Sequence, residues 1–417
     1  MASLGAVQAL SLALPLLSLP YLANVLGPGG LGRVAFALSA AQIVAMVSDY
    51  GFELTASRRA SMHRDDAAAL TRLWCVVGVL RLLLALAGLA GMGVLALAHA
   101  SVRDELFLIG VACTVVAGPL VYPHWLFQGT EQLRGVSVLQ LLARLGCFAA
   151  LFVLVRGEDD VRWAVFLQAA PLLVTGLLAL PLTLRYLRGS DLAWPTMASL
   201  QAELREGQHV FWSSAAVAVY TTCNTFLLGL ALPAQVVGQY HVAEKIIRAV
   251  QSLYGPISHA VYPHVVRLAA GSVQDALRFN RTLLAMLASA SALLGLGVFI
   301  AAGPLVLWLA GEGFADSASL LRVFAWLPLI VVLSNVFGVQ TMLPLGMERS
   351  FKRILLLSAA LDLALFFPAI QSFGAWGAAW VNVIVELFVV ACMAMTLHRA
   401  GCSPLNDWRS MDRRERA

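Results

Sequence analysis

Glu244, Lys245 and Arg248 stand inside a long apolar run, between eight and twelve residues from its outer end. A charge at that depth costs about 2.5 to 3.5 kcal/mol even on a lenient insertion scale, so it must meet a partner, an aqueous cavity or a ligand. Glu244 and Arg248 are spaced i, i+4 and can pair on one helix face, which leaves Lys245 to face something else. The two chemistries open to the trio are a self-compensated structural cluster and a cationic floor for an anionic ligand. Arg144, eleven residues into its run, is too deep for easy snorkelling and fits either an ion pair or a substrate contact. Asp362 lies 218 residues further on and is a counterpart for it. Arg81, seven residues into its run, reads as an arginine snorkelling to the inner interface or as part of the same cationic surface. Asp49, Glu53 and Glu386 are carboxylates in or beside apolar runs. Buried carboxylates can exchange protons or hold a sodium ion, so Glu244, Asp362, Glu386 and Asp49 are the candidates for coupling to an ion gradient.

Other motifs carry less chemistry. Gly27-Pro28-Gly29-Gly30-Leu31-Gly32 fits G-x-G-x-x-G, but a dinucleotide loop needs a strand before it, and this one joins two apolar runs. Its glycines and Pro28 predict a tight outer hairpin instead. The six cysteines show neither a disulfide framework nor metal-ligand spacing. His124, His241 and His264 read as hydrogen-bonded structural residues.

The elements that must hold these residues are membrane helices. Of the 417 residues 60% are hydrophobic and 12% charged, against about 25% charged in a soluble domain. Runs of about 20 apolar residues recur along the chain, giving an all-α polytopic membrane protein of about twelve transmembrane helices in two six-helix lobes around a central cavity. The expected spans are 6–26, 34–54, 74–98, 104–127, 135–155, 163–184, 209–231, 237–263, 283–309, 318–344, 354–371 and 374–397. The first has no Lys or Arg ahead of it and is expected to stay as a span rather than serve as a cleaved signal. The division is an N-terminal lobe 1–190, a cytoplasmic connection 191–208, a C-terminal lobe 209–398 and a cytoplasmic tail 399–417. One set of alternate loops holds 19 Lys and Arg and the other set four, which places both termini in the cytoplasm. The same placement explains the excess of 28 cations over 23 anions without nucleic acid. Residues 57–72 read as one amphipathic helix on the inner membrane surface. Gly129-Thr130-Glu131 recurs as Gly346-Met347-Glu348, 217 residues later, suggesting parallel repeats.

These stretches resemble a known pattern. The block from Leu10 through Asn24-Val25-Leu26-Gly27-Pro28-Gly29-Gly30 to Arg58-Arg59-Ala60 is similar to the N-terminal signature of the Wzx-type polysaccharide flippases. Trp125-Leu126-Phe127-Gln128-Gly129-Thr130-Glu131 resembles their W-x-x-Q-G-x-E, and Gly374-Ala375-Trp376-Gly377-Ala378-Ala379 with Glu386 resembles their G-x-x-G-A-A…E. The resemblance implies two six-helix lobes forming a V. It also implies a lipid-linked oligosaccharide as cargo, the glycan being carried on undecaprenyl pyrophosphate from the inner to the outer leaflet of a bacterial inner membrane. Membrane lipids, and the glycosyltransferases and glycan polymerase of the same pathway, are the implied partners. No cofactor is expected, and an H+ or Na+ gradient is the candidate drive. Lys245, Arg248, Arg144 and Arg81 are the residues placed in the cationic cavity.

A drug or ion antiporter of the same superfamily would share this fold but needs an acidic or apolar cavity for cationic drugs. A flippase of the peptidoglycan precursor differs only in cargo. A membrane glycan polymerase or ligase would need a sizeable outer loop for its catalytic groups. The longest clearly polar outer loop is Arg156 to Arg162, so no enzyme activity is expected. The loop between helices two and three also lacks the G-x-x-x-D-[RK]-x-G-[RK]-[RK] motif of major-facilitator transporters.

Overall fold

A computed structural model describes residues 2–186 and 194–404, and their regular structure is helical throughout. Residues 187–193 of the connection with Arg188, and the tail with Arg409, Arg413, Arg414 and Arg416, lie outside the described residues. The contacts divide the chain into two compact units, residues 1–242 with 307–315, and residues 243–306 with 316–417.

Seven helices among the described residues are long and apolar enough to cross a membrane, and nine if each of two bent pairs counts as one span. The chain is a multi-pass membrane protein, and the expected twelve is not reached on length and hydropathy alone. Two of the seven, of 49 and 52 residues, are too long for a single crossing. At 1.5 Å per residue, 52 residues extend about 78 Å against a hydrocarbon core of about 30 Å. Each contains a glycine in the left-handed region, Gly27 (φ 62°) and Gly374 (φ 58°). The expected eighth span, 237–263, is two helices, Ala234–Ser252, which carries three charges, and Tyr254–Gly271, whose histidines, prolines and tyrosines lower its hydropathy, and neither is among the seven.

The glycine motif turns more tightly than the sequence suggested. Only Gly27 leaves the helical region, and Pro28, whose fixed φ suits a first helical position, starts the next helix at once. Residues 28–49 are therefore helical, and the other glycines serve close packing rather than a loop. A Cβ at Gly32 would lie 1.7 Å from the carbonyl oxygen of Ala234, and one at Gly238 would lie 2.0 Å from that of Pro28. Backbone meets backbone there, within the first unit.

Residues 57–72 are not one surface helix either. The helix Phe52–Met62 ends at His63, and Ala67–Ala98 begins anew behind Asp66, whose carboxylate accepts from the amide of Ala69 at 2.9 Å. Phe52, Ala56, Ser57 and Ala60 are buried, so the helix is amphipathic toward protein. Gly129 sits against it, where a Cβ would lie 2.6 Å from the Ser57 carbonyl oxygen. Trp125 and Leu126 of the helix His124–Gly129 complete that core with Leu73, Val77 and Leu80. Two of the signature blocks thus pack on each other.

The two G-x-E motifs lie at helix ends of one type. Thr130 N–H donates to Leu126, Glu131 to Gln128 and Gln132 to Phe127, a helix ending with Glu131 at φ 60°. The same three bonds join Leu345 to Thr341, Gly346 to Leu343 and Met347 to Met342, with Gly346 at φ 72°. Glu131 and Gly346 hold the same place in this cap, and the helix end at Gly401 (φ 70°) makes the same three bonds, so the cap is a general way of ending a helix and sets no repeat register.

Candidate functional site

Arg144 lies eleven residues into the helix Leu133–Leu154, about 16 Å from its start. It lines a cavity of about 290 Å³ in the first unit, together with Ser18, Gln42 and Gln168 and a wall that includes Leu14, Cys147 and Phe148. Prolines shape this space. Pro15 and Pro171 line it, and the Ser18 hydroxyl donates to the Pro15 carbonyl at 2.9 Å. The lining combines a guanidinium with two amides and a hydroxyl, a set that can hold a phosphate or carboxylate oxygen at mid-bilayer depth. Gln42, Gln168 and Ser18 did not stand out in the sequence, where charged residues drew the attention. An uncharged polar side chain within an apolar run was the available signal.

Arg81 is in a different setting. Its side chain is 2% exposed, so it does not snorkel. Nη2 donates to Asp49 Oδ1 at 2.6 Å and to Glu53 Oε2 at 3.2 Å, and Nη1 donates to the carbonyl of Pro119 at 3.0 Å. That carbonyl would ordinarily accept from residue 123, but Pro123 has no N–H, and the guanidinium fills the gap. Glu53 also binds His124 Nδ1, and the Ser48 hydroxyl donates to the Arg81 carbonyl at 3.0 Å. Asp49 and Glu53 are 39% and 34% exposed, so the carboxylates form the wetter side of the network. At the same end of the unit Arg59 pairs with Glu203 of the helix Met197–Thr221, while Phe211 of that helix stacks on Tyr50 at 4.6 Å.

Lys245, Arg248, Glu244, Asp362 and Glu386 belong to the second unit. Arg248 donates to Glu244 Oε1 from Nη2 at 2.8 Å and from Nε at 3.2 Å, as their spacing predicts. Glu244 is buried, Lys245 half-buried and the Arg248 side chain 45% exposed. Asp362 and Glu386 are both buried on the helix Glu348–Arg399. A neutral network lies elsewhere in the unit. Asn280 donates to the Gln340 carbonyl at 2.7 Å and to Thr341 at 3.1 Å, and the Gln340 amide donates to Ser258. It surrounds a π-helical turn, Gly338–Met342.

Residues 1–269 match the family described as polysaccharide biosynthesis protein. A relative from Escherichia coli K12 bearing the name "Putative O-antigen transporter" is 29% identical over 397 residues, 94% of either chain. One of the same name from Shigella dysenteriae is 26% identical over 385 residues, 91% of this chain and 94% of that one. Among solved structures, the inward-facing conformation of a multidrug resistance MATE family transporter of the MOP superfamily superposes with a TM-score of 0.62 at 13% identity, covering 92% of this chain and 94% of that one. The lipid II flippase MurJ, inward closed, superposes at 0.57 and 10% identity, covering 95% and 88%. These two similarities concern the fold.

Proposed function

As the chain belongs to the polysaccharide biosynthesis protein family, we propose that it is a flippase for a lipid-linked oligosaccharide. The cargo is an O-antigen or exopolysaccharide unit on undecaprenyl pyrophosphate, carried from the inner to the outer leaflet of a bacterial inner membrane with both termini in the cytoplasm. The observation that carries the reading at the site is Arg144 at mid-depth in a cavity it shares with Gln42, Gln168 and Ser18. A glycan head cannot enter hydrocarbon, whereas its lipid tail never has to leave it. A polar cleft that takes the head and pyrophosphate while the tail stays in lipid removes the barrier, with no covalent step. Arg144 receives the pyrophosphate, to which a guanidinium fork is better matched than an ammonium. Lys245 and Arg248 are the candidate cationic contacts of the second unit, Arg248 the weaker because Glu244 already holds it. Rocking of the two six-helix lobes then exposes the cleft to each side in turn. Asp362 and Glu386, both buried, and Asp49 and Glu244, which bind arginines, are the coupling candidates.

The test is translocation in liposomes with an undecaprenyl-pyrophosphate oligosaccharide. Arg144→Gln loses a charge-assisted contact worth about 1.5 to 3 kcal/mol, so transport falls roughly ten- to a hundredfold. Lys245→Ala with Arg248→Ala slows it less. Undiminished transport by Arg144→Gln would remove Arg144 from the site. Drug efflux without glycolipid movement would replace the flippase with an antiporter.

A further inference from the structure

A second opening in the first unit, of about 450 Å³, has a different character. Trp74, Cys75, Gly78 and Leu82 of the helix Ala67–Ala98 form one wall, and Leu120 and Trp194 lie across from them. Among the described residues no charged side chain lines it. From Trp74 to Leu82 is eight residues, about 12 Å of helix, less than half of a hydrocarbon core of about 30 Å. The helix that carries it is among those able to cross a membrane, and Trp74 is only seven residues from its start. The slot therefore runs from one membrane surface into the adjoining leaflet and stops there. An apolar slot at that depth takes hydrocarbon.

Features at its mouth narrow the choice. Trp74 and the 88% exposed Trp194 are side chains that favour the headgroup level. Arg72, exposed two residues before Trp74, places positive charge at the level where a lipid's phosphate lies, while Arg64 at the same end pairs with Asp65 at 3.7 Å. At Gly78 a Cβ would meet nothing within 4 Å, so the wall is recessed where a methyl-branched chain needs width. We propose that this slot holds the polyprenyl chain of the lipid carrier, with its phosphate facing Arg72, and so loads the cargo from the leaflet where it is made. The proposal rests on the flippase reading and adds a place for the tail, separate from the Arg144 cavity that takes the head.

Cys75 lines the slot and supplies the probe. A variant with Cys113, Cys147, Cys223, Cys392 and Cys402 replaced by Ala, and with the thermal unfolding of the parent, is placed in phosphatidylethanolamine and phosphatidylglycerol vesicles. A membrane-permeant maleimide then labels Cys75. Saturating undecaprenyl phosphate should slow labelling about tenfold, whereas phosphatidic acid with straight acyl chains at the same mole fraction should leave it unchanged. Gly78→Trp, which fills the recess, should abolish the protection by undecaprenyl phosphate. Equal protection by both lipids would make the slot an ordinary annular lipid site and overturn the proposal, as would protection by neither. Translocation by the parent protein in vesicles of the same composition separates the two readings: transport by the parent without protection in the variant removes the slot alone, and protection without transport by the parent removes the flippase.

Discussion

The two compact units hold their intramembrane charges in contrasting ways. In the first, Arg81 is tied to Asp49, Glu53 and the Pro119 carbonyl, drawn from segments 28 to 38 residues away, and Glu53 reaches on to His124. In the second, Arg248 finds Glu244 one turn away on its own helix, and a cross-helix network is built from the neutral side chains of Asn280, Gln340 and Ser258. Charge thus braces the first unit between helices, while in the second this ion pair can form and break without moving a helix. Removing Arg81 unties three segments at once, whereas removing Arg248 leaves the buried carboxylate of Glu244 on the helix that held its partner.

Replacing the two arginines tests that contrast most severely. Arg81→Met should cost about 3 to 5 kcal/mol, because the network loses its only fully buried cation and strands Asp49 and Glu53. Arg248→Met should cost less, about 1 to 2 kcal/mol, because one charge-assisted contact is lost within a single helix while Glu244 stays buried. Equal losses in thermal unfolding in detergent would erase the distinction. An intermediate effect comes from Asn280→Leu, which deprives the Gln340 carbonyl of its donor and should cost about 1 to 3 kcal/mol on the same scale. A loss as large as that of Arg81→Met would show that neutral bracing equals charged bracing. The smallest effects belong to the matched turns. Glu131→Gly relieves a left-handed residue and should stabilise by up to about 1 kcal/mol, and Gly346→Ala should destabilise by about 1 kcal/mol or somewhat more. Changes of the same sign at both would break the correspondence between the turns.

Much of this was legible in the residues, and the limits have physical causes. Helical membrane class follows from apolar runs, a property of the chain read locally. The Glu244–Arg248 pair was legible for the same reason, since i, i+4 spacing fixes both neighbours on one helix. The Arg81 network was not, because its partners meet only after the helices 2–49, 52–62 and 67–98 have packed. The hairpin was expected as a glycine-rich loop since Gly and Pro mark turns. Composition could not say that one glycine suffices and that Gly32 is needed for a contact with Ala234. The helix ends at Glu131 and Gly346 share a cap although one holds glutamate and the other glycine at the left-handed position, so the shared letters of the G-x-E motifs did not mark the shared geometry. Of the polar groups around Arg144, Gln42 and Gln168 come from helices far apart in sequence, so their convergence has no local signature.

The crossing of Gly32 with Ala234 and of Gly238 with Pro28 has a thermodynamic consequence of its own. Neither glycine brings a side chain to the contact, so closing or opening it freezes or frees no rotamers at those positions. The contact is a matter of fit between two backbones, with little side-chain entropy to lose on forming it.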